Sequence, residues 1–193
     1  MIYFTADLHF GHENIIKFCN RPYDTVEAMN KSLVNNWNQT VGYDNEVYIL
    51  GDFTNDAGKA KRFLPALNGK KYMITGNHDK WLKNPDETHP MIEWVKEYAV
   101  IGGKGFKWVL FHYPIEELAG FYGPSIHLHG HIHNRPHPPS WNPSTVRAFN
   151  VGVDVNDYKP VSMDALVKRA NKIHVQKRDK NACDIEMELY EED

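Results

Sequence analysis

Cysteine is scarce in this sequence: two occur among 193 residues, Cys19 and Cys183. They lie far apart and match no disulfide framework, thiolate zinc site or redox pair, so a reducing compartment is the simpler interpretation. No stretch approaches the roughly 20 apolar residues that span a bilayer. The start of the chain lacks a basic segment and has an acid at position 7, which argues against a secretory signal. We therefore expect a soluble, cytoplasmic protein without a membrane partner.

The sequence also has no large excess of positive or negative charge. Lysine and arginine number 22 against 25 acidic residues, which gives a formal net charge of −3. No whole-protein field therefore draws the chain onto nucleic acid, and no basic, aromatic-rich groove is evident. Nucleic acid is a possible partner but is not favoured. With 41% hydrophobic residues, the chain is long enough to bury the core of one domain.

Apolar runs and turn residues predict alternating strands and helices in the first half of the chain. The predicted strands cover residues 2–5, 46–50 and 71–75, and the predicted helices cover 13–19, 25–39 and 57–67. Alternation of this kind is typical of a parallel sheet.

The second half is predicted to be richer in strands. The predicted elements are strands 98–101 and 106–111 around a glycine-rich turn at 102–105, strands 126–128 and 146–151, an irregular loop at 134–145, and a helix at 162–172. Ser162 is the expected N-cap of that helix. The acidic last dozen residues fit either an edge strand or a frayed tail.

Acids, an amide and histidines follow directly after several predicted strands. They are Asp7, His9, Asp52, Asn77, His112, His131 and His133. Sites in open α/β sheets form beyond the carboxyl ends of the strands, so these distant residues can meet at one point. Such a mixed oxygen and nitrogen set suits Mn²⁺, Fe, Ni²⁺ or Zn²⁺ rather than Ca²⁺. Each motif alone could be an ordinary turn, but five in order at strand ends favour a metal centre.

These ordered motifs resemble the calcineurin-like metallophosphoesterase superfamily, whose pattern is D-x-H, G-D, G-N-H-[DE], H and G-H-x-H. The matching segments here are Asp7-Leu8-His9, Gly51-Asp52, Gly76-Asn77-His78-Asp79, His112 and Gly130-His131-Ile132-His133, within roughly residues 1–155. The resemblance, to a small member of bacterial or phage type, implies an α/β fold: a two-sheet β-sandwich flanked by helices, in αββα layers. We expect a single metallophosphoesterase domain over residues 1–193.

The resemblance also implies a role for each motif residue. Asp7, His9, Asp52 and His133 would hold one divalent cation, and Asp52, Asn77, His112 and His131 would hold a second, most simply Mn²⁺ at both. His78 would be a general acid oriented by Asp79. The implied reaction is hydrolysis of phosphate esters, with phosphodiesters favoured, by in-line attack of a metal-bridging hydroxide.

Residues beside the motifs are candidate contacts for a small phosphate-ester substrate. His12, Arg21 and Asn77 are the predicted substrate-binding residues. Arg21 could clamp a phosphate through two hydrogen bonds, or be a solvated arginine on a turn. Arg135 and His137 are weaker candidates.

The remaining histidines have structural interpretations. His127 and His129 are expected to be strand or core residues rather than ligands, and His89 and His174 to lie on the surface.

Two other functions stay open. One is a phosphomonoesterase or Ser/Thr protein phosphatase that uses the same centre. The other is a non-catalytic scaffold that binds proteins, which is disfavoured because every expected ligand is present. The oligomeric state cannot be read from the sequence.

Overall fold

Two β-sheets that pack face to face organise this chain. The structure is a computed structural model and describes residues 1–83, 91–116, 118, 123–138, 141 and 146–173. The first sheet contains β1 (Ile2–Thr5), β2 (Glu46–Leu50), β3 (Lys70–Ile74), β4 (Trp94–Lys96) and β9 (Val161–Ser162). Its strand order is β4-β3-β2-β1-β9, and only β9 runs antiparallel to its neighbour. The parallel sheet predicted for the first half of the chain is confirmed.

The second sheet has four strands in sequence order. They are β5 (Tyr98–Gly103), β6 (Phe106–Phe111), β7 (Ser125–His129) and β8 (Ala148–Asn150). The β5–β6 pair is antiparallel, and β6, β7 and β8 run parallel. Lys104 and Gly105 turn the hairpin with φ of 54° and 80°, the left-handed values that a tight two-residue turn requires. The predicted hairpin is confirmed, although β5 is longer than expected.

In the ranges that the structure describes, four α-helices flank the sandwich: α1 (Asn14–Phe18), α2 (Val26–Thr40), α3 (Ala57–Phe63) and α4 (Met163–Ala170). As predicted, Ser162 caps α4, and its side chain accepts the Ala165 N–H. The predicted helix 57–67 ends early and continues as a 3-10 turn, because Pro65 lacks an N–H and its ring crowds the preceding turn. No helix in the described part of the chain is long and apolar enough to cross a bilayer.

The layers follow from the alternation of side chains along β1, β2 and β3. One set faces the helices and packs with them: Tyr3, Val47, Ile49 and Met73. The other set faces the second sheet: Phe4, Tyr48, Leu50 and Ile74. Phe4 stacks on Trp108 of β6 with ring centroids 5.5 Å apart, which joins the two sheets. Helix α4 buries Met163, Leu166 and Ala170 in the same inter-sheet core.

His127 lies on the outer face of β7, buried below Trp141. Its Nε2 accepts the Ile115 N–H at 3.1 Å, so the proton is on Nδ1, which donates to the Val109 carbonyl at 3.1 Å. Burial lowers the pKa of His127 to about 4 and that of its neighbour His129 to about 3. The prediction that both are core residues is confirmed, and both are neutral at pH 7.

His127 should couple folding to pH. Its pKa is about 4 in the folded protein against about 6.5 in the unfolded chain, so between these values only the unfolded state binds the proton. The contribution of neutral His127 to the free energy of unfolding is fully present above pH ~6.5. It falls as the pH drops toward 4, by up to about 1.4 kcal/mol per pH unit. Urea unfolding of metal-free protein measures this, and His127→Gln, which keeps a donor and an acceptor, should show a shallower dependence. Identical slopes would contradict the buried neutral state.

Candidate metal centre

The carboxyl ends of strands from both sheets meet at one end of the sandwich. The motif residues follow β1, β2 and β3 of the first sheet and β6 and β7 of the second. A cavity of about 310 Å³ opens there, and its walls include five of the seven predicted metal ligands, namely His9, Asp52, Asn77, His131 and His133. The topology therefore brings together residues that are more than 120 positions apart, such as Asp7 and His131, whose backbone N–H donates to the Asp7 carboxylate.

The backbone of the centre is strained. Five predicted ligands have left-handed φ angles: Asp7 at 58°, His9 at 51°, Asp52 at 56°, His131 at 68° and His133 at 51°. Non-glycine residues adopt this region rarely, and such strain persists where surrounding contacts hold it and is frequent at functional sites. Here the loops hold one another, since the Asp7 N–H donates to the Gly51 carbonyl and the His9 N–H to the Asp52 carbonyl.

Asp52 lies between two groups of imidazoles. Its Oδ2 is 3.5 Å from Nε2 of His9 and 3.5 Å from Nε2 of His112, and its Oδ1 accepts the His78 N–H at 2.9 Å. Burial would raise the pKa of this carboxyl, but the hydrogen bond and charge of His112, together with His9, outweigh burial and lower it to about 2. Asp52 therefore stays ionised between the two groups of donors.

A first group of donors, Asn77, His112 and His131, lies on one side of Asp52. The Asn77 Oδ1 lies 3.0 Å from Nε2 of His112 and 3.0 Å from Nδ1 of His131. The other nitrogen of His112, Nδ1, donates to the Leu50 carbonyl at 2.8 Å, which orients the ring so that Nε2 lies against Asn77 and Asp52, where it could bind a cation.

A second group consists of Asp7, His9 and His133, whose donor atoms lie within 4.8 Å of one another. Burial raises the pKa of the Asp7 carboxyl to about 6. Both ring nitrogens of His9 are buried without a hydrogen-bond partner among the described residues. A buried carboxylate and an unpartnered imidazole are both costly without a cation, so these donors fit a divalent ion.

Glycines allow the ligand loops to approach so closely. A Cβ added at Gly130 would lie 2.7 Å from Oδ2 of Asp7, and one at Gly76 would collide with the Asp52 carboxylate. The glycines in G-N-H-D and G-H-x-H are therefore required by the packing of the two carboxylates.

His78 and His12 lie beside the second group and line the same cavity. The His78 ring is 4.9 Å from the ring of His9 and 5.7 Å from that of His12. The Nδ1 of His12 has no hydrogen-bond partner among the described residues. Both residues therefore line the cavity beside the second group of donors.

The predicted pairing of Asp79 with His78 is wrong. The Asp79 carboxylate accepts backbone N–H groups from Asp52, Phe53, Thr54 and Gly76 at 2.7–3.3 Å, and the indole N–H of Trp81 at 3.2 Å. No described hydrogen bond or ion pair joins it to the His78 ring. Asp79 fastens the loop that carries Asp52 to the turn after β3, a role that spacing alone could not show.

Arg21 is also corrected, because it is neither a phosphate clamp nor a solvated turn residue. It is buried, and its guanidinium donates to both carboxylate oxygens of Asp154 at 2.8 and 2.9 Å. It also donates to the carbonyls of Asp7 at 2.7 Å and Leu8 at 3.0 Å. Arg21 is not among the described residues that line the cavity.

Asp154, in the 3-10 turn Val153–Val155 after β8, was not identified from the sequence. Its Oδ2 accepts a hydrogen bond from Nδ1 of His133 at 2.7 Å, which leaves Nε2 of His133 for a cation. Burial would lower the pKa of the His133 imidazole, but its hydrogen bonds with Asp154 and Cys19 outweigh burial and raise the pKa to about 10, so a cation at Nε2 would replace a proton. Arg21 and Asp154 thus tie the loop of Asp7 to the ring of His133.

Of the two weaker candidates for substrate binding, one lines the cavity and the other does not. Arg135 lines the cavity, whereas His137 lies outside it, with its ring 5.3 Å from that of Trp141. Cys19, which was not among the predicted site residues, also lines the cavity. His89 and His174 lie outside the described residues.

Asp154→Asn should weaken cation binding at the His133 side of the centre. Loss of a carboxylate that orients a ligating histidine typically costs about 10–100-fold in metal affinity. Calorimetric titration of metal-free protein with Mn²⁺ measures the effect, and Asp157→Asn, an exposed change on the same loop, is the matched control. Unchanged affinity in Asp154→Asn would show that the bond to His133 does not position the ligand.

Comparisons with known proteins agree with this geometry. Residues 1–108 match the family model described as calcineurin-like phosphoesterase. An uncharacterized protein, MJ1445, from Methanocaldococcus jannaschii is 41% identical over 175 residues, which cover 89% of this chain and 92% of the relative. The Gene 66 protein of Mycobacterium phage L5 is 39% identical over 83 residues, or 40% of this chain and 39% of that protein.

The fold also has a counterpart among solved structures. The crystal structure of AQ665 from Aquifex aeolicus, a protein of unknown function, has a TM-score of 0.69. It is 29% identical and covers 87% of this chain and 98% of its own.

Proposed function

This chain belongs to the calcineurin-like phosphoesterase family, and we propose that it hydrolyses phosphodiesters with two divalent cations held at the metal centre. The observation that supports this most is the position of the Asp52 carboxylate, 3.5 Å from Nε2 of both His9 and His112. One carboxylate between two groups of donors is the arrangement that a pair of cations requires. We assign Asp7, His9 and His133 to one cation, Asn77, His112 and His131 to the other, and Asp52 to both.

When bound, two such cations neutralise phosphoryl oxygens, hold an in-line geometry and lower the pKa of a bound water toward about 7. The protein's own contribution is a ligand set with only two carboxylates against four imidazoles and an amide. Neutral donors leave the cations' charge largely uncancelled, so the centre attracts an anionic ester.

His78 is the proposed general acid. Its backbone N–H donates to Asp52 at 2.9 Å, and His78 lines the cavity beside the second group of donors, Asp7, His9 and His133. An imidazole can deliver a proton near neutral pH to the oxygen that leaves the phosphorus. His12, with an unpartnered Nδ1 on the same wall, is proposed to hydrogen-bond the substrate.

A diester is favoured over a monoester by two apolar residues of the cavity. Ile15 and Phe18 line it next to the imidazoles, and the Phe18 side chain is 75% exposed although it is large and apolar. An exposed aromatic ring beside the centre can pack against the second ester group, which a phosphomonoester lacks.

The finer points of the proposal rest on general chemistry. Mn²⁺ suits the mixed oxygen and nitrogen ligands, although availability also decides which metal is bound. A cytoplasmic location agrees with the free thiol of Cys19. We propose small molecules as the substrates, with no membrane partner.

Replacing His78 should separate substrates by their leaving groups. His78→Asn is expected to lower kcat by about 10²–10⁴ on alkyl diesters, whose alkoxide needs a proton, and far less on bis-p-nitrophenyl phosphate. Steady-state kinetics with Mn²⁺-loaded protein give both values, and metal content should match the wild type. Equal losses on the two substrates would argue against proton donation by His78.

A panel of esters tests the proposed function itself. With Mn²⁺, bis-p-nitrophenyl phosphate should be hydrolysed faster than p-nitrophenyl phosphate, and chelation followed by readdition of Mn²⁺ should abolish and restore the activity. Faster hydrolysis of the monoester would favour the phosphatase alternative. Metal-loaded, folded protein that cleaves no ester would favour the non-catalytic scaffold.

A further inference from the structure

A second cavity of about 230 Å³ adjoins the metal centre. Its lining includes Arg135, Asn150, Asn156 and Arg169. Arg135 also lines the metal cavity, so one arginine borders both spaces. No carboxylate side chain is among the described residues that line this second cavity.

Among the described residues, the two arginines of the second cavity have no acidic partner. Arg135 donates to the carbonyls of Ile132 at 3.3 Å and His131 at 3.4 Å, and Arg169 to Oδ1 of Asn156 at 3.4 Å. These are long, weak hydrogen bonds. No ion pair with a carboxylate is found for either arginine within the described ranges, in contrast to buried Arg21, whose guanidinium is fully used. Both side chains are exposed and have donors left for a ligand.

The wall of the second cavity is rigidly joined to the metal centre. Asn150 donates to the carbonyl of the metal ligand His133 at 2.8 Å. Asn156 donates to the carbonyls of Asn150 at 3.0 Å and Gly152 at 2.9 Å. These bonds fix the loop after β8, so the cavity keeps its place relative to His133.

We propose that this second cavity binds a phosphate group of the substrate that is not the one hydrolysed. Guanidinium groups match phosphate oxygens through paired, charge-assisted hydrogen bonds. The substrate would then carry two phosphates, a diester at the metal ligands and a second phosphate between Arg135 and Arg169. This inference rests on the proposed function, since the metal centre must hold the first phosphate.

The same chemistry has two sources. The second phosphate is either a terminal group of a small nucleotide or the next phosphodiester of a nucleic acid strand. The net charge of −3 gives no general attraction for a long polyanion, so the small nucleotide is favoured.

The test compares three p-nitrophenyl esters of thymidine 5′-phosphate with the full, Mn²⁺-loaded chain. One has a free 3′-hydroxyl, one a 3′-phosphate and one a 3′-linked second nucleotide. The 3′-phosphate should raise kcat/KM about tenfold, mainly through KM, as expected for one charge-assisted hydrogen bond. A gain confined to the 3′-phosphate identifies the small nucleotide, and an equal gain with the dinucleotide identifies a strand. No gain with either would overturn the second phosphate site.

Variants locate the effect. Arg169→Gln should cancel the tenfold preference between the phosphorylated and unphosphorylated esters, whereas Lys168→Gln, the same charge change on the next residue outside the cavity, should keep it. A preference that persists in Arg169→Gln would overturn the assignment.

A binding measurement tests the second cavity without requiring turnover. Calorimetry should show about tenfold tighter binding of thymidine 3′,5′-bisphosphate than of thymidine 5′-phosphate, and Arg169→Gln should remove the difference. If no ester is hydrolysed, the proposed function fails while calorimetry still decides on the second cavity. Equal affinities for the two nucleotides would refute it.

Discussion

The rest of the centre depends on the contacts of the buried Asp52 carboxylate. It contacts imidazoles from both sheets, since His9 follows β1 and His112 follows β6. Its own position is set from behind by Asp79, which accepts the N–H groups of Asp52, Phe53 and Thr54. Because Asp79 holds these backbone N–H groups, Asp52 can keep a left-handed φ angle that would otherwise relax.

A second buried charge network does the same for the other side of the centre. Arg21 and Asp154 form an ion pair with side chains 0% and 1% exposed. Buried ion pairs contribute little net stability unless their remaining donors and acceptors are satisfied. Here Arg21 also donates to the carbonyls of Asp7 and Leu8, and Asp154 accepts from His133. The network therefore fixes the position of the Asp7 loop relative to the ring of His133.

The sequence was sufficient for the strands that carry the ligands, because each motif follows an apolar run that must be buried. It was not sufficient for β4 and β9, which have three and two residues and are too short to show a period. The roles given to Arg21 and Asp79 were wrong for another reason. Residue type and spacing indicate what a side chain can bond, but both partners are backbone or distant groups that only the fold brings near. Asp154, within Val153–Val155, had no motif to mark it.

Diffraction from crystals grown with Mn²⁺, with anomalous scattering recorded at the manganese edge, tests the centre most directly. If the seven side chains hold two cations, the anomalous map will show two peaks about 3.5–4 Å apart. One peak will lie among Asp7, His9 and His133, the other among Asn77, His112 and His131, and the Asp52 carboxylate will contact both. A map without peaks at these residues, or with a single peak away from Asp52, would contradict the two-cation centre.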